Sequence, residues 1–349
     1  MIRPRPLLLV VAALVLFATG SGASAGRRTA VGGDTARGLL GSGHAVVLAF
    51  AGDVHFEGEL RAKLDASPRS VLAPVAPVLR RADVAMVNLE TAVTDRGVPQ
   101  SKEFVFRTPA ASLAALRGGS VDVATMANNH GLDYGLEGLR DSLAAARRYH
   151  FPVVGIGRNA AQAYAPYRVT VAGQRIAILG ATQVIDDQLI QAWTAGPHKA
   201  GLASAKDVPR LLEAVRQARR TADTVVVYVH WGLELEGCPT HVQRGLARRL
   251  VTAGADVIVG SHAHVQLGAG HMGSALVDYG LGNFAFYATG EETTRSGVLF
   301  VTVTGRRVDG YRWSPARIVD GVPRPLGNGE RRAAVASWRA LRGCTGLRP

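Results

Sequence analysis

Five short segments of the 349-residue chain end in side chains able to hold a divalent cation. The fullest is Asp256-Val257-Ile258-Val259-Gly260-Ser261-His262-Ala263-His264-Val265, a β-branched run that stops at Gly-Ser and two histidines. Such a run predicts a buried strand ending in a tight loop, with both imidazoles at its C-terminal edge. A lone His-x-His also fits a half-exposed strand with no ligand role. Here the design recurs in Leu48-Ala49-Phe50-Ala51-Gly52-Asp53-Val54-His55, Met86-Val87-Asn88-Leu89-Glu90, Thr125-Met126-Ala127-Asn128-Asn129-His130 and Val225-Val226-Val227-Tyr228-Val229-His230-Trp231-Gly232. The C-termini of strands in an α/β sheet converge on one edge, where these distant residues would meet.

Asp53 and His55 alternate around Val54, so an extended segment would turn both to one side. With Glu90, Asn129, His230, His262 and His264 they make a set of oxygen and nitrogen donors without a thiolate. That mixture suits two borderline ions such as Mn²⁺, Zn²⁺ or Fe better than a closed structural zinc site. Two ions roughly 3.5–4 Å apart polarise a phosphoryl oxygen and acidify a water, the logic of binuclear hydrolases. His130 lies three residues before Asp133, a carboxylate able to orient the ring and favour its protonated form, as a general acid requires. Asp133 also suits the N-cap of a helix starting near Tyr134, and both roles can hold. Arg107, Asn128 and Asn283 are candidate substrate contacts. For Arg107 the alternative is a surface ion pair, and for Asn283 a loop tied by hydrogen bonds. Trp231 packs beneath His230 or stacks on a sugar, and His241 and His271 face solvent or loops.

The elements that must position these residues alternate between strand and helix. Strands are predicted over 45–53, 84–89, 121–126, 153–156, 175–179 and 224–229, and helices over 73–82, 112–116, 134–149, 206–220 and 242–253. In the helix over 134–149, Leu136, Leu139, Leu143 and Ala146 form the inward stripe. Residues 186–201 lack a period and read as a surface loop beside the polar edge. Beyond the histidine pair, 275–279, 297–303 and 311–315 read as antiparallel strands, so the class is α/β with α+β additions.

At the N-terminus, Arg3 and Arg5 precede the apolar run 7–17 and the small residues Ala23-Ser24-Ala25. This predicts an export signal cleaved after Ala25, with an uncleaved anchor as the alternative. Residues 26–44 read as a flexible linker, 45–320 as one domain and 321–349 as a C-terminal tail with a short helix. In an exported chain the only two cysteines, Cys238 and Cys344, are expected to pair; the alternative is two free thiols. The net charge of +13 comes from dispersed arginines and suits a solvated surface or attraction to an anionic polymer such as teichoic acid, polyglutamate or acidic lipid. Nucleic acid is not expected, for want of a binding motif and with aromatics at 6%.

Gly52-Asp53-Val54-His55, Asn88-Leu89-Glu90, Ala127-Asn128-Asn129-His130 with Asp133-Tyr134-Gly135, His230-Trp231-Gly232, Gly260-Ser261-His262-Ala263-His264 and Leu281-Gly282-Asn283-Phe284 resemble, in this order, the motifs of the CapA family of capsule and poly-γ-glutamate synthesis. That family belongs to the metallophosphatase-like, calcineurin-type superfamily. The resemblance implies a four-layer αββα sandwich of two mixed sheets. It assigns Asp53, His55 and His264 to one metal, Asn129, His230 and His262 to the other, Glu90 to the bridge and His130 to proton donation. Glu90 follows Leu89 where the superfamily has aspartate after glycine, and Ala263 stands where CapA-like chains often have proline. Implied partners are an anionic cell-surface polymer and capsule-assembly membrane proteins; the implied location is the cell envelope.

Overall fold

A computed structural model describes residues 40–349. The export segment and most of the linker lie outside the described residues. Strand β1 (Val46–Val54) leads through helix α1 (Glu59–Ala66) to β2 (Val84–Leu89), and α2 (Ala111–Gly118) leads to β3 (Val123–Thr125). Helix α3 (Gly135–Arg148) then returns the chain to β4 (Val153–Val154). The second series runs β5 (Tyr167–Val171), β6 (Gln174–Thr182), α4 (Val208–Arg219), β7 (Thr224–His230), α5 (His241–Ala253) and β8 (Val257–Ser261). Strands β9 (Gln266–Met272), β10 (Ala275–Leu281), β11 (Asn283–Ala285), β12 (Arg295–Thr304), β13 (Arg307–Val319) and β14 (Val322–Pro325) precede the last long helix, α6 (Asn328–Ala340).

The strands form two mixed sheets. One has the order β14-β13-β12-β1-β2-β3-β4 with β11 beside β1; the other runs β9-β10-β8-β7-β6-β5. Parallel pairing holds from β1 to β4 and from β6 through β7 and β8 to β10, and the outer pairs are antiparallel. The apolar runs are continuous because both faces of the central strands are covered. In β7, Val226 and Tyr228 face the opposite sheet while Val225, Val227 and Val229 face α4 and α5. In β1, Leu48 and Phe50 fill the space between the sheets and Ala49 and Ala51 join the core under α1, α2 and α3. Helix, sheet, sheet and helix give four layers.

Local chemistry sets the element ends. Thr240 and Gln243 form a reciprocal capping box at the start of α5, and Gly254 ends the helix at φ 114°. Cys238 and Cys344 are disulfide-bonded, closing a loop of 106 residues that in the chain-entropy model contributes roughly 4–5 kcal/mol. The tail is built into the fold. Strand β14 pairs with β13 beyond residue 320, Trp338 of α6 stacks on Trp313 at 5.3 Å, and Arg348 bridges to His271.

Several expectations need correction. The helix over 73–82 shrinks to a single turn, Ala76–Leu79, because Pro74 and Pro77 interrupt its hydrogen bonds. Leu136 is 41% exposed, leaving the inward stripe of α3 to Leu139, Leu143 and Ala146. The segment 186–201 holds a short helix, Ile190–Trp193, whose Trp193 is buried in the core. Strand β10 is antiparallel to β9 but parallel to β8. Strands β5, β9 and β14 escape the periodicity; β5 and β14 are edge strands, and two prolines break the pattern of β14.

Candidate metal centre

The ends of β1, β2, β7 and β8 meet at one edge shared by the two sheets. Gly52 makes this possible, since a Cβ there would lie 1.7 Å from the carbonyl oxygen of Gly282. Asp53 follows it, fully buried. Its Oδ1 accepts from Asn88 Nδ2 at 2.8 Å, and its Oδ2 accepts from the backbone N–H of His262 at 3.1 Å. One carboxylate thus ties the first sheet to the loop after β8. That loop is strained: His262 and His264 have φ 97° and 58°. Left-handed backbone costs a side-chain-bearing residue roughly 1–2 kcal/mol, and such strain clusters at functional sites.

Glu90 occupies the middle. His230 Nε2 lies 3.2 Å from Glu90 Oε1 and 2.7 Å from Asn129 Oδ1, while His230 Nδ1 faces Ser261 Oγ at 3.0 Å and Asn88 Nδ2 at 3.1 Å. Two groups of potential ligand atoms converge, each within a span of 4.8 Å: Asp53, Glu90 and His230, and Glu90, His262 and His264. Glu90 belongs to both. Both its carboxylate oxygens and His262 Nδ1 are buried and make no hydrogen bond among the described residues, although His230 Nε2 approaches Oε1. Unpaired buried carboxylate oxygens and an imidazole nitrogen at one point are the donor set that a divalent cation satisfies.

The electrostatics agree with that fit. Burial, reinforced by Asp53, raises the Glu90 carboxyl well above its ordinary range. Burial lowers His230 to about 3 and, with the neighbouring histidines, holds His262 well below the usual imidazole range, so both rings are neutral and able to ligate. For His264 burial works downward, but the carboxylates of Glu90 and Asp53 and the contact with Asn283 raise it overall.

His55 departs from the expectation of a ligand beside Asp53. The register slips between Asp53 and Val54 where β1 meets β11, a bulge that turns His55 away from the period-two line. Its Nδ1 accepts from the Glu57 N–H at 3.0 Å, which leaves the ring proton on Nε2, 3.4 Å from the Tyr287 nitrogen. The ring packs against Phe106, Phe286 and Tyr287, and His55 belongs to neither group of converging ligand atoms. The pairs implied by resemblance are also close, with His264 Nδ1 3.6 Å from Asp53 Oδ2 and Asn129 Oδ1 2.7 Å from His230 Nε2, while the converging groups join Asp53 to His230 and His262 to His264.

His130 stacks on Phe106 at 4.1 Å, with Nδ1 2.6 Å from Asp133 Oδ2. Asp133 also accepts from the Phe106 N–H at 2.6 Å and from Lys102 Nζ at 2.9 Å. It therefore orients His130 and does not cap α3, whose N-cap has no side-chain hydrogen bond. Burial lowers the His130 pKa more than Asp133 raises it, so the ring does not gain the net shift toward the charged form that the spacing suggested.

A model of the bacterial capsule synthesis protein PGA_cap matches residues 47–288, which include every residue of this centre. The chain belongs to the PGA_cap family. It is 31% identical over 268 residues to the PGA biosynthesis protein CapA of Bacillus subtilis, covering 74% of this chain and 67% of that one. It is 30% identical to the capsule biosynthesis protein CapA of Bacillus anthracis, over 73% of this chain and 63% of the relative. Among solved structures, the 5'-nucleotidase from Candida albicans SC5314 is similar at a TM-score of 0.45 and 12% identity, over 85% of this chain and 58% of that one.

The remaining expected contacts divide in this PGA_cap chain. Asn128 is fully buried and held internally: its Nδ2 donates to Asn88 Oδ1 and Leu89 O, and its Oδ1 accepts from the His130 N–H, so it shapes the loop and does not face a substrate. Asn283 lies 2.8 Å from His264 Nδ1 and donates to His264 O and Thr293 O, the loop-tying role. Arg107 lies over the Tyr134 ring at 5.0 Å. Trp231 is fully buried, donates to Tyr279 O and cannot stack on a sugar. Two contributors were not expected. Asn88 links Asp53 to His230, and its signal was a polar residue inside an apolar strand. Lys102, which also donates to Asn129 O, sits in a segment without a period and gave none.

Proposed function

We propose that this family member is an exported protein of capsule, poly-γ-glutamate or related envelope-polymer synthesis that binds divalent cations at the Glu90 centre and hydrolyses a phosphoester or related bond. What carries the reading is the Glu90 carboxylate, fully buried, shared by two groups of converging ligand atoms and making no hydrogen bond among the described residues. Asp53, Glu90, His230, His262 and His264 would hold the metal, with Asn129 Oδ1 beside His230. A bound divalent cation supplies Lewis acidity toward a phosphoryl or acyl oxygen and lowers the pKa of a water. His130, oriented by Asp133 and Lys102 at the pocket wall, is the group placed to give a proton to a leaving oxygen.

The test uses Mn²⁺-reconstituted protein and a panel of phosphomonoesters and diesters. Turnover of at least one substrate is expected, with His130→Ala lowering it by roughly 10²–10⁴. Metal bound with no turnover on any substrate would contradict catalysis. A second reading, a non-catalytic accessory that binds anionic polymer, is favoured by the net charge of +13. It predicts salt-reversible retention on immobilised polyglutamate whether or not metal is present, and indifference to the polymer would rule it out.

A further inference from the structure

The pocket through which solvent reaches His130 and His264 has a volume of about 300 Å³. Its walls differ from the rest of the surface. Phe104, Phe106, Leu235, Phe286 and Tyr287 line it, no lining residue is lysine or arginine, and the only carboxylate is Glu234. Several of these apolar side chains stand in water: Phe104 is 54% exposed, Leu235 67% and Tyr287 43%. In a chain of net charge +13, an apolar mouth carrying one acid and, among the described residues, no lysine or arginine is a selective surface, because exposed apolar patches beside a polar centre mark ligand sites.

The backbone supports this. Leu235 has φ 61°, fixed by its N–H donating to Ala263 O at 2.8 Å in the loop between the two histidines. Glycine or asparagine would occupy that conformation with less strain, yet the position presents a leucine to solvent. The opposite wall is rigid, since Phe106 stacks on His130 at 4.1 Å and Phe286 meets Tyr287 at 5.2 Å. An anionic repeat entering here would meet Glu234 and find no lysine or arginine along the outer walls, while an anionic head at the floor would meet His264.

We infer that this mouth is a subsite for an apolar, alkyl-type substituent on the phosphoryl or acyl group that meets the centre at His130 and His264, with Phe104, Leu235 and Tyr287 as the specificity-determining residues. The inference rests on the metal-centre reading for the orientation of the ligand. The ligand class is an amphiphile, with a charged head at the strand ends and an uncharged chain along Leu235. A polyanionic polymer, if bound, lies outside this mouth.

The test is calorimetric titration of n-alkylphosphonates, methyl to octyl, into protein with Mn²⁺ and after chelation. Affinity should rise about threefold for each added methylene until the chain leaves the pocket. In Phe104→Ser/Leu235→Asn, where asparagine keeps the left-handed backbone, the octyl-to-methyl affinity ratio should collapse toward one. A flat series in the unmodified protein, or a rise that survives in the variant, overturns the subsite. If long phosphonates bind in a variant-sensitive way but Mn²⁺ has no effect on the methyl compound, the subsite stands and the metal reading fails. If none binds, both are overturned. A self-associated state that Leu235→Asn dissolves in sedimentation would assign these side chains to a second copy of the chain and also overturn the subsite.

Discussion

The two ends of β8 bury acidic groups in opposite ways. At its start, Asp256 is 4% exposed and fully engaged: Oδ2 accepts from the Val225 N–H at 2.9 Å and from Arg219, and Oδ1 from Arg306 at 3.3 Å. At its finish, Glu90 lies among His230, His262 and His264, with His230 Nε2 3.2 Å from its Oε1, and no arginine or lysine pairs with it among the described residues. Burial pushes both carboxyls upward; at Asp256 the guanidinium groups and the Val225 N–H pull back, whereas at Glu90 Asp53 adds to the rise and only His264 and Lys102 oppose it. A buried carboxylate with its own arginines is structural. One set among imidazoles and beside another carboxylate is a candidate ligand for a cation.

The comparison can be broken or sharpened by experiment. Arg219→Ala strips the main cation from Asp256 and should destabilise the fold by about 3–5 kcal/mol in urea titration; a loss below about 1 kcal/mol would mean that the paired end is not structural. At the other end, Mn²⁺ at one hundred times its dissociation constant should stabilise the protein by about 2.7 kcal/mol, visible as a higher melting temperature that chelation reverses. Glu90→Gln removes the uncompensated carboxylate, so the metal-free variant should gain about 1–3 kcal/mol while losing its response to Mn²⁺; destabilisation without loss of that response would make Glu90 structural.

A third buried acid gives a pH signature. Burial raises Asp278 of β10 to about 8, with only the Gly280 N–H opposing. Because the folded state holds the proton more tightly than the unfolded chain, its contribution is complete below pH 4 and is lost as pH rises toward 8, by about 1.4 kcal/mol per unit. Asp278→Asn should flatten that slope in denaturation series taken across pH 5–8, and an unchanged slope would place its origin elsewhere.

What the sequence disclosed follows from which forces decide each feature. The strand over 84–89 is found where the apolar run predicts it, and β7 only one residue longer, because both faces of these central strands are buried and the runs are uninterrupted. The halt of each run in a polar cluster likewise located Asp53, Glu90, Asn129, His230, His262 and His264, which the fold gathers at one edge. His55 stands outside both groups of converging atoms because of a bulge, which is a property of pairing between strands and leaves no local trace in Gly52-Asp53-Val54-His55. Lys102 was invisible for a similar reason: a tertiary contact with Asp133 decides its position, and the turn-rich segment around it has no period. The direction of the His130 shift depended on depth of burial, which the spacing to Asp133 does not report.

Elemental analysis of protein reconstituted with Mn²⁺ or Zn²⁺ and then exhaustively dialysed, beside Glu90→Gln treated in the same way, tests the metal centre most directly. One to about two ions per chain retained by the unmodified protein and none by the variant is the expected result. Metal-free protein after reconstitution, or equal metal in both, would contradict it.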